Sequence, residues 1–218
     1  MPDTITLDMI RESIHSAALA DALDGLGFRH QSPRLPIQPV TGCSKLVGRC
    51  KTTLWLEFAY EDPDSYEIEL KAVDGCAPDD VMICAANGSV RAAVWGELLS
   101  TAARNAGCVG AIVDGAVRDV AQMTAMKFPV FSTGRSVYDA MHRIKAVDLD
   151  VDVDIADVRV QPGSIVIADI DGVVVVPKEV EEEAIRKAWN KVHDENRVRD
   201  EIAGGMKASE AWERYGIL

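Results

Sequence analysis

Short apolar runs alternate with helix-patterned segments through the middle of this 218-residue chain, and the alternation limits the folds open to it. Three runs have the length and apolar character of buried strands: residues 81–85, 109–113 and 130–132. Between them, apolar residues recur at helical spacing over residues 97–106 and 119–126, and Gly107 is a suitable C-cap for the first helix. Strands joined by helices in this way are typical of βαβ units, so the sequence predicts an α/β fold.

The N-terminal part of the chain is predicted to begin with a helix. Apolar spacing indicates one helix over residues 7–23, with His15 on one of its faces, and two glycines follow as stop signals, Gly25 and Gly27. Residues 32–42 contain three prolines, which favour extended or turn-like backbone. The other predicted elements are strands over residues 43–58, 164–169 and 173–177, and helices over residues 65–73, 178–202 and 209–215.

Three dipeptides carry turn signals. Asn87-Gly88 is the strongest, because this pair suits a two-residue hairpin, and it would return the chain over residues 89–94. Asp171-Gly172 predicts a second hairpin between two apolar strands. Asp114-Gly115 is predicted to turn the chain after the strand over residues 109–113.

Residues 147–160 alternate apolar and acidic side chains. One face carries apolar residues and the other carries aspartates: Val147, Leu149, Val151, Val153 and Ile155 against Asp148, Asp150, Asp152 and Asp154. This period of two predicts a half-buried strand with a solvated acidic face. A calcium loop would instead need ligands that converge around a turn with a glycine, so we do not assign one here.

Aromatic residues cluster around the acidic segment 61–64. They are Trp55, Phe58, Tyr60 and Tyr66. One interpretation is a substrate lid or a subunit contact. The other, which we favour, is a hairpin or loop whose aromatic side chains fill the core.

The charge balance argues against two classes of partner. The chain has 35 acidic and 23 basic residues, a formal net charge of −12. Nucleic acids and anionic membranes attract proteins with a positive surface, so neither is an expected partner. No run reaches the roughly 18 apolar residues typical of a membrane span, and the N-terminus does not resemble a signal peptide. We therefore expect a cytoplasmic protein.

Several familiar chemistries lack their motifs. The sequence contains no G-x-G-x-x-G, no P-loop, no G-x-S-x-G and no H-E-x-x-H. The five cysteines have no C-x-x-C spacing, and the four histidines are not paired at zinc-ligand spacing. Carboxylate, arginine and backbone-amide chemistry remains.

Residues 95–120 combine these groups most compactly. Glu97 lies at a predicted helix start, and Arg118 and Asp119 follow after a gap of twenty residues. The unpaired amides of a helix start form an anion site, an arginine fork suits a carboxylate, and an aspartate can bind a hard cation. The simpler alternative is that Glu97 caps its helix and that Arg118 and Asp119 form a structural ion pair.

This spacing resembles the signature of the RraA-like family, which includes the 4-hydroxy-4-methyl-2-oxoglutarate and 4-carboxy-4-hydroxy-2-oxoadipate aldolases. Further residues carry the likeness: Gly107, Gly110, Asp114-Gly115, Pro162-Gly163, Asp169, Asp171-Gly172 and the run 173–177. The sequence departs from the family pattern over residues 55–66 and at Ile155-Ala156-Asp157, where a glycine-containing turn is expected.

The resemblance implies a swivelling β/β/α fold of layered sheets with flanking helices. It also implies that residues 1–218 form one domain, with an N-terminal helix and a C-terminal helical tail. Members of the family usually assemble as homotrimers or homohexamers, with their sites near subunit boundaries. We therefore expect such an oligomer here.

The resemblance also implies a class II pyruvate aldolase, which uses a divalent metal in place of a lysine Schiff base. Asp119 would be the ligand of Mg²⁺, with Mn²⁺ as an alternative, and Arg118 would bind the carboxylate or keto oxygen of the pyruvate unit. The opposite wall would present backbone amides from Gly96, Glu97, Leu98 and Leu99. Glu97 would also hold a water that takes the proton of the substrate hydroxyl. The same site would suit oxaloacetate decarboxylation, because both reactions leave a pyruvate enolate.

A second function belongs to a different class. The family takes its name from a regulator that inhibits a ribonuclease through protein contacts, so the alternative is a non-catalytic protein that binds a ribonuclease or another protein partner. Because this chain keeps Glu97, Arg118 and Asp119 together, we favour the enzyme. Lys127 and Arg135 could contact a distal substrate carboxylate, although solvent-exposed charge is the simpler interpretation. A methyltransferase would require a glycine-rich cofactor loop, and the sequence has none.

Overall fold

A computed structural model describes residues 4–216, and its centre is an eight-stranded sheet. Its strand order is β1-β5-β4-β3-β2-β9-β10, with β6 also paired to β2, while β7 and β8 form a separate hairpin. The strands are β1 (Gln38–Pro39), β2 (Lys45–Glu57), β3 (Asp80–Trp95), β4 (Gly110–Val117), β5 (Val130–Arg135), β6 (Ile144–Leu149), β7 (Val153–Ile155), β8 (Val158–Val160), β9 (Ile165–Asp169) and β10 (Val173–Val175). The helices are α1 (Leu7–Ser13), α2 (Ser16–Asp24), α3 (Glu67–Asp74), α4 (Glu97–Asn105), α5 (Val120–Ala125), α6 (Glu181–Ala203) and α7 (Ala208–Tyr215), with a 3₁₀ turn over Lys178–Val180.

The predicted βαβ units are confirmed. Strands β2, β3, β4 and β5 are successive parallel neighbours, and α3, α4 and α5 connect them in turn. Neighbouring parallel strands need such crossover connections, because a tight turn can join only antiparallel strands. All carboxyl ends of these strands consequently lie at one edge of the sheet.

The core occupies both faces of this sheet. On β3, Met82 and Cys84 pack beneath α3, α4 and α5, whereas Val81, Ile83 and Ala85 face the β7–β8 hairpin and one side of β9 and β10. The other side of β9 and β10 packs against α1, α2 and α6. Each buried large aliphatic or aromatic side chain contributes roughly 1.5–3 kcal/mol, so the apolar strands hold the layers together. The structure thus has the layered sheets and flanking helices that the family resemblance implies.

The single helix predicted over residues 7–23 is wrong. Ile14 and His15 adopt extended backbone and separate α1 from α2. His15 is not on a helix face, because its ring nitrogen caps α2 by accepting the Ala18 amide hydrogen bond at 3.2 Å. The Ser16 amide and hydroxyl donate to the buried carboxylate of Asp169, at 2.7 and 2.6 Å. That distant partner breaks a helix whose apolar spacing is otherwise continuous.

The hairpin predicted at Asn87-Gly88 is also wrong. Both residues have positive φ, 51° and 69°, as in a hairpin turn, yet β3 continues in the same direction and pairs in parallel with β4 on either side. The two residues form a bulge, which the buried Asp114 stabilises by accepting the Gly88 amide hydrogen bond at 2.9 Å. Burial raises the pKa of Asp114 despite the hydrogen bonds from these amides, which lower it. The turn predicted at Asp114-Gly115 is absent, since both residues lie inside β4.

Residues 147–160 form parts of three strands and not one. β6 ends at Leu149 beside Asp150, which has a φ of 53°, and Ala156 and Asp157, with φ of 44° and 69°, form the β7–β8 turn. A turn therefore occurs where the family pattern has a glycine, and two non-glycine residues adopt its left-handed conformation. The predicted aspartate face is exposed along its whole length, as expected for a solvated face.

Most of the other predicted helices, strands and turns are confirmed. Asp171-Gly172 connects the antiparallel pair β9 and β10, and α6 buries a stripe made of Ala184, Ile185, Ala188 and Val192. The favoured interpretation that the clustered aromatics fill the core is confirmed for Trp55 but wrong for Tyr60, which is exposed, while Phe58 and Tyr66 are half-buried. None of the helices within residues 4–216 has the length and apolar character needed to cross a membrane.

Candidate functional site

The site forms where two neighbouring strands end. Trp95 at the end of β3 is paired with Val117 at the end of β4, so Gly96 and Arg118 leave the sheet side by side. The Arg118 amide donates to the Trp95 carbonyl at 3.0 Å, which holds the two departing segments together. The twenty residues between Glu97 and Arg118 comprise the rest of α4, a four-residue connection and β4, which together return the chain to the same edge. Ligands commonly bind at the carboxyl ends of parallel strands.

The start of α4 forms one wall of the site. Gly96 is its N-cap in extended conformation and provides no capping side chain. The buried hydroxyl of Ser100 fixes this turn, because it donates to the Gly96 carbonyl and accepts from the Trp95 indole, both at 2.8 Å. The first amides of the helix have no partners within the helix and carry the positive end of its dipole.

Asp119 presents its carboxylate to this wall. It precedes α5 in left-handed conformation, with φ of 57°, and makes no capping hydrogen bond with its side chain. Aspartate is one of the few residues besides glycine that adopts this conformation readily. Its Oδ2 lies 3.4 Å from the Glu97 amide nitrogen, a long contact that leaves the carboxylate free to bind another group.

Arg118 is held by a carboxylate that sequence reasoning missed. Its terminal nitrogen lies 2.5 Å from Asp139 Oδ2, and its Nε lies 3.8 Å from Asp119 Oδ2. The Tyr66 hydroxyl and the Met141 amide both donate to Asp139. Burial works to raise the pKa of Asp139, but these hydrogen bonds and the Arg118 charge outweigh it and lower the pKa. Burial and the bond to Asp139 raise the pKa of Tyr66 to about 12.

These residues surround a cavity of about 280 Å³. Five of the predicted site residues line it: Gly96, Leu98, Leu99, Arg118 and Asp119. The side chain of the sixth, Glu97, is not part of the lining, because its carboxylate accepts a hydrogen bond from Thr101 one turn along the same helix. Lys127 and Arg135 are exposed and do not line the cavity, in line with the simpler interpretation of both.

Glu69 is a second residue that sequence reasoning missed. It extends from α3 into the wall of the same cavity and is only 8% exposed. Burial, reinforced by the nearby Asp139, raises the pKa of Glu69 to about 8, although Arg118 opposes the shift. A signal was present in the sequence, since Glu69 precedes Ala72 and Val73 by three and four residues and therefore shares their buried helix face.

Within residues 4–216, no group of three or more His, Cys, Asp or Glu side chains is arranged to hold a metal ion. The described part of the chain therefore does not provide the set of three or four side-chain ligands that commonly holds a transition metal. Asp119 supplies a single carboxylate at an open position, which is a donor set for a hard cation that retains much of its water.

The fold and the site together define an α/β protein in which a helix start, an arginine and an aspartate meet at the carboxyl edge of the parallel strands. The family model of the RraA-like proteins, described as Aldolase/RraA, matches residues 16–175. The chain therefore belongs to the RraA-like family, as the resemblance in its sequence predicts.

Individual relatives extend the match beyond those residues. A protein of Halalkalibacterium halodurans named "Putative 4-hydroxy-4-methyl-2-oxoglutarate aldolase" is 29% identical over 200 residues, 92% of this chain and 90% of that protein. The DlpA protein of Legionella pneumophila is 29% identical over 201 residues, which span 92% of this chain but only 32% of DlpA. RraAS2 of Streptomyces coelicolor, described as an unusual member of the RNase ES inhibitor RraA family, has a solved structure that superposes with a TM-score of 0.79 at 26% identity, covering 91% of this chain and 97% of that one.

Proposed function

We propose that this chain is a divalent-metal-dependent pyruvate aldolase. It would cleave a 4-hydroxy-2-oxo acid, such as 4-hydroxy-4-methyl-2-oxoglutarate, into pyruvate and a second oxo acid. One observation carries the proposal: the Asp119 carboxylate, the Arg118 guanidinium and the first turn of α4 meet at one cavity. The named aldolase relative, which matches 90% of its own length, supports the same reaction class.

The residues present fit a magnesium ion. A Cβ atom on Gly96 would lie 2.8 Å from Asp119 Oδ2, so the glycine keeps the space beside that oxygen open. Mg²⁺ is commonly held by one or two carboxylates and several waters, and Mn²⁺ accepts similar oxygen ligands. When bound, the cation would act as a Lewis acid towards the keto oxygen and carboxylate of the pyruvate unit.

Arg118 and the α4 amides would bind and orient the substrate. The arginine offers a planar fork to the pyruvate carboxylate, and Asp139 fixes the direction of that fork. Retro-aldol cleavage leaves an enolate, whose negative charge develops where the amides after Gly96 carry positive potential. Leu98 and Leu99 would exclude bulk water from one side. Glu97 would position a water that accepts the proton from the 4-hydroxyl group, which requires its carboxylate to leave Thr101.

The same groups would also decarboxylate oxaloacetate, because loss of carbon dioxide leaves the same enolate. This secondary activity is useful experimentally, since oxaloacetate presents the pyruvate unit without a large distal group. The rate of oxaloacetate turnover therefore tests the roles of the metal and of Arg118 without a contribution from the pocket that selects the second product.

The proposal includes assembly as a homotrimer or homohexamer. Apolar side chains are unusually exposed around the cavity: Leu98 is 79% and Val137 is 86% exposed, and Leu70 and Tyr138 are exposed beside them. An exposed apolar surface of this kind commonly marks a protein contact. We expect light scattering to give a trimer or hexamer mass, and Val137→Glu to reduce it. A monomeric wild-type protein would contradict this part of the proposal.

The decisive experiment measures pyruvate release from 4-hydroxy-4-methyl-2-oxoglutarate and from oxaloacetate. The assays contain Mg²⁺ or a chelator, and they compare the wild-type protein with Asp119→Asn and with the control Asp154→Asn on the exposed strand face. Metal-dependent release that only Asp119→Asn abolishes is the expected result. If neither substrate reacts and neither Mg²⁺ nor pyruvate binds, the aldolase is rejected in favour of the alternative, a non-catalytic protein that binds a ribonuclease or another protein partner.

A further inference from the structure

Glu69 is a buried acid in the cavity wall with an unsatisfied oxygen. Its Oε2 has no hydrogen-bond partner among residues 4–216, although the atom is inaccessible to solvent. The other two carboxylates at the cavity differ, because Asp139 accepts from Tyr66 and Met141, and Asp119 lies close to the Glu97 amide. Buried polar groups without partners are rare in folded proteins, so each one needs an explanation, and a catalytic role is one such explanation.

The surroundings of Glu69 keep it protonated. The charged groups that act on Glu69 are Asp139 and Arg118. Two further ionisable groups, Tyr66 and Cys84, lie near enough for the Glu69 charge to act on them, and the four groups are on four different segments of the chain. Asp139 is ionised and repels a second negative charge, while Tyr66 and the buried Cys84 are neutral, with pKa values raised to about 12 by burial first of all. Arg118 alone favours the ionised form, and it is already paired with Asp139.

We propose that Glu69 is the group that gives a proton to the pyruvate enolate, and this inference rests on the proposed aldolase function. In the forward direction, the bond between C3 and C4 breaks and its electron pair stays on the pyruvate unit as the enolate. C3 then takes the proton from the Glu69 carboxyl group and becomes the methyl carbon of pyruvate. The Glu69 carboxylate recovers a proton from water, which balances the proton released by the 4-hydroxyl group.

The other acids at the cavity are poorly suited to this step. The Tyr66 proton is engaged with Asp139, and its raised pKa makes it a weak acid. Asp139 is ionised and paired with Arg118. A carboxyl group with a pKa of about 8 carries a proton at neutral pH and still releases it, which is the balance that general acid catalysis requires.

The test is the exchange of pyruvate methyl hydrogens for deuterium in D₂O with Mg²⁺, followed by proton NMR. Exchange is the reverse of the proposed step, since it needs a base to remove a proton from C3. We expect Glu69→Gln to slow exchange about 100-fold or more, while oxaloacetate disappearance, which breaks a carbon–carbon bond before protonation, falls less than about tenfold. Exchange by the wild type should depend on pH near 8, and the variant should lose that dependence.

Two controls define the outcomes. Glu67→Gln alters an exposed carboxylate on the same helix and should leave exchange unchanged. Calorimetry should show that Glu69→Gln binds Mg²⁺ and pyruvate as the wild type does. Exchange by Glu69→Gln at the wild-type rate, or parallel loss of binding, overturns the role of Glu69 but leaves the aldolase standing. A wild-type protein that neither exchanges pyruvate nor releases it from any substrate overturns both.

Discussion

The backbone of Gly96 and the carboxylate of Asp119 lie so close that a Cβ atom at position 96 would be 2.8 Å from Asp119 Oδ2. Gly96 has extended backbone, with φ of −161°, so its dihedral angles would admit any residue. The requirement for glycine at this position therefore comes from the approach of Asp119, and it links the start of α4 to the end of β4.

Gly96→Ala should weaken metal binding. The added methyl group would displace the Asp119 carboxylate from the open position beside α4. We expect the Kd for Mg²⁺ to rise about tenfold, equivalent to about 1.4 kcal/mol, with little change in thermal stability. Calorimetric titration measures the change. Gly25→Ala is the matched control, because a Cβ atom there would be at ordinary contact distance, 3.5 Å from backbone oxygens.

Asp119→Asn should abolish metal-dependent pyruvate release. Asparagine also tolerates the left-handed backbone found here, so the substitution removes the charge without imposing the strain that alanine would. We expect kcat/KM to fall about 100-fold or more, because Lewis-acid stabilisation of the enolate depends on the retained metal. Unchanged kcat/KM at saturating Mg²⁺ would remove Asp119 from the metal site.

Asp139→Asn should impair substrate binding more than metal binding. The carboxylate of Asp139 fixes Arg118, so its loss allows the guanidinium to move away from the pyruvate carboxylate. We expect KM for oxaloacetate to rise about tenfold, equivalent to about 1.4 kcal/mol, with the Mg²⁺ affinity unchanged. Tyr66→Phe removes one donor to Asp139 and should give a smaller increase. Equal KM values in all three proteins would show that Arg118 needs no such support.

Glu69→Gln should stabilise the protein while it impairs proton transfer. Between the ordinary Glu pKa of about 4.3 and the folded-state pKa of about 8, the unfolded chain releases this proton and the folded chain keeps it. Glu69 therefore contributes most to the free energy of unfolding below about pH 4, and this contribution falls as the pH rises towards 8. At pH 7, we expect the variant to be more stable by on the order of 1–3 kcal/mol.

Urea denaturation at pH 4.5 and pH 8 examines this dependence. The stability difference between Glu69→Gln and the wild type should be small at the lower pH and largest at the higher one. Glu67→Gln, on the exposed face of the same helix, should show no such growth. A constant difference across this range would mean that Glu69 ionises normally in the folded protein.

Asp169→Ala should destabilise the fold without touching the site. The buried carboxylate accepts hydrogen bonds from the Ser16 amide and hydroxyl and from the Asp171 amide, so its removal leaves buried donors unpaired. We expect the free energy of unfolding to fall by about 3 kcal/mol. Asp171→Ala, at an exposed position of the same turn, should cost much less. Comparable losses in the two variants would contradict the role of Asp169.

Much of the fold could be predicted because its signals are local. The apolar runs that became β3, β4 and β5, the helical spacing of α4 and α6, and the Asp171-Gly172 hairpin each depend on residues near one another in the chain. Arg118 and Asp119 were predicted as a pair for the same reason, and the resemblance to the RraA-like family added Gly96, Leu98 and Leu99, which line the same cavity.

Two of the errors share one physical cause, which is a hydrogen-bond partner far away in sequence. Asn87-Gly88 has the left-handed backbone of a hairpin turn, but Asp114 on the neighbouring strand holds it as a bulge within β3. The first helix breaks because Ser16 bonds to Asp169, which lies 153 residues further along the chain. The local sequence determines which backbone conformations have a low free energy, and hydrogen bonds to distant residues select among those conformations.

By itself, the sequence determined the α/β class, the family and the pair of side chains at the centre of the candidate site. Only the tertiary structure showed that Glu69 and Asp139 share a cavity with Asp119, and that the Glu97 side chain does not line it. The reason is that periodicity reports which residues are apolar and where helices and strands form, whereas the protonation state of a carboxyl group depends on burial and on charges brought close by folding. Tyr66 and Asp139 are 73 residues apart, and only the folded chain brings them into hydrogen-bond contact.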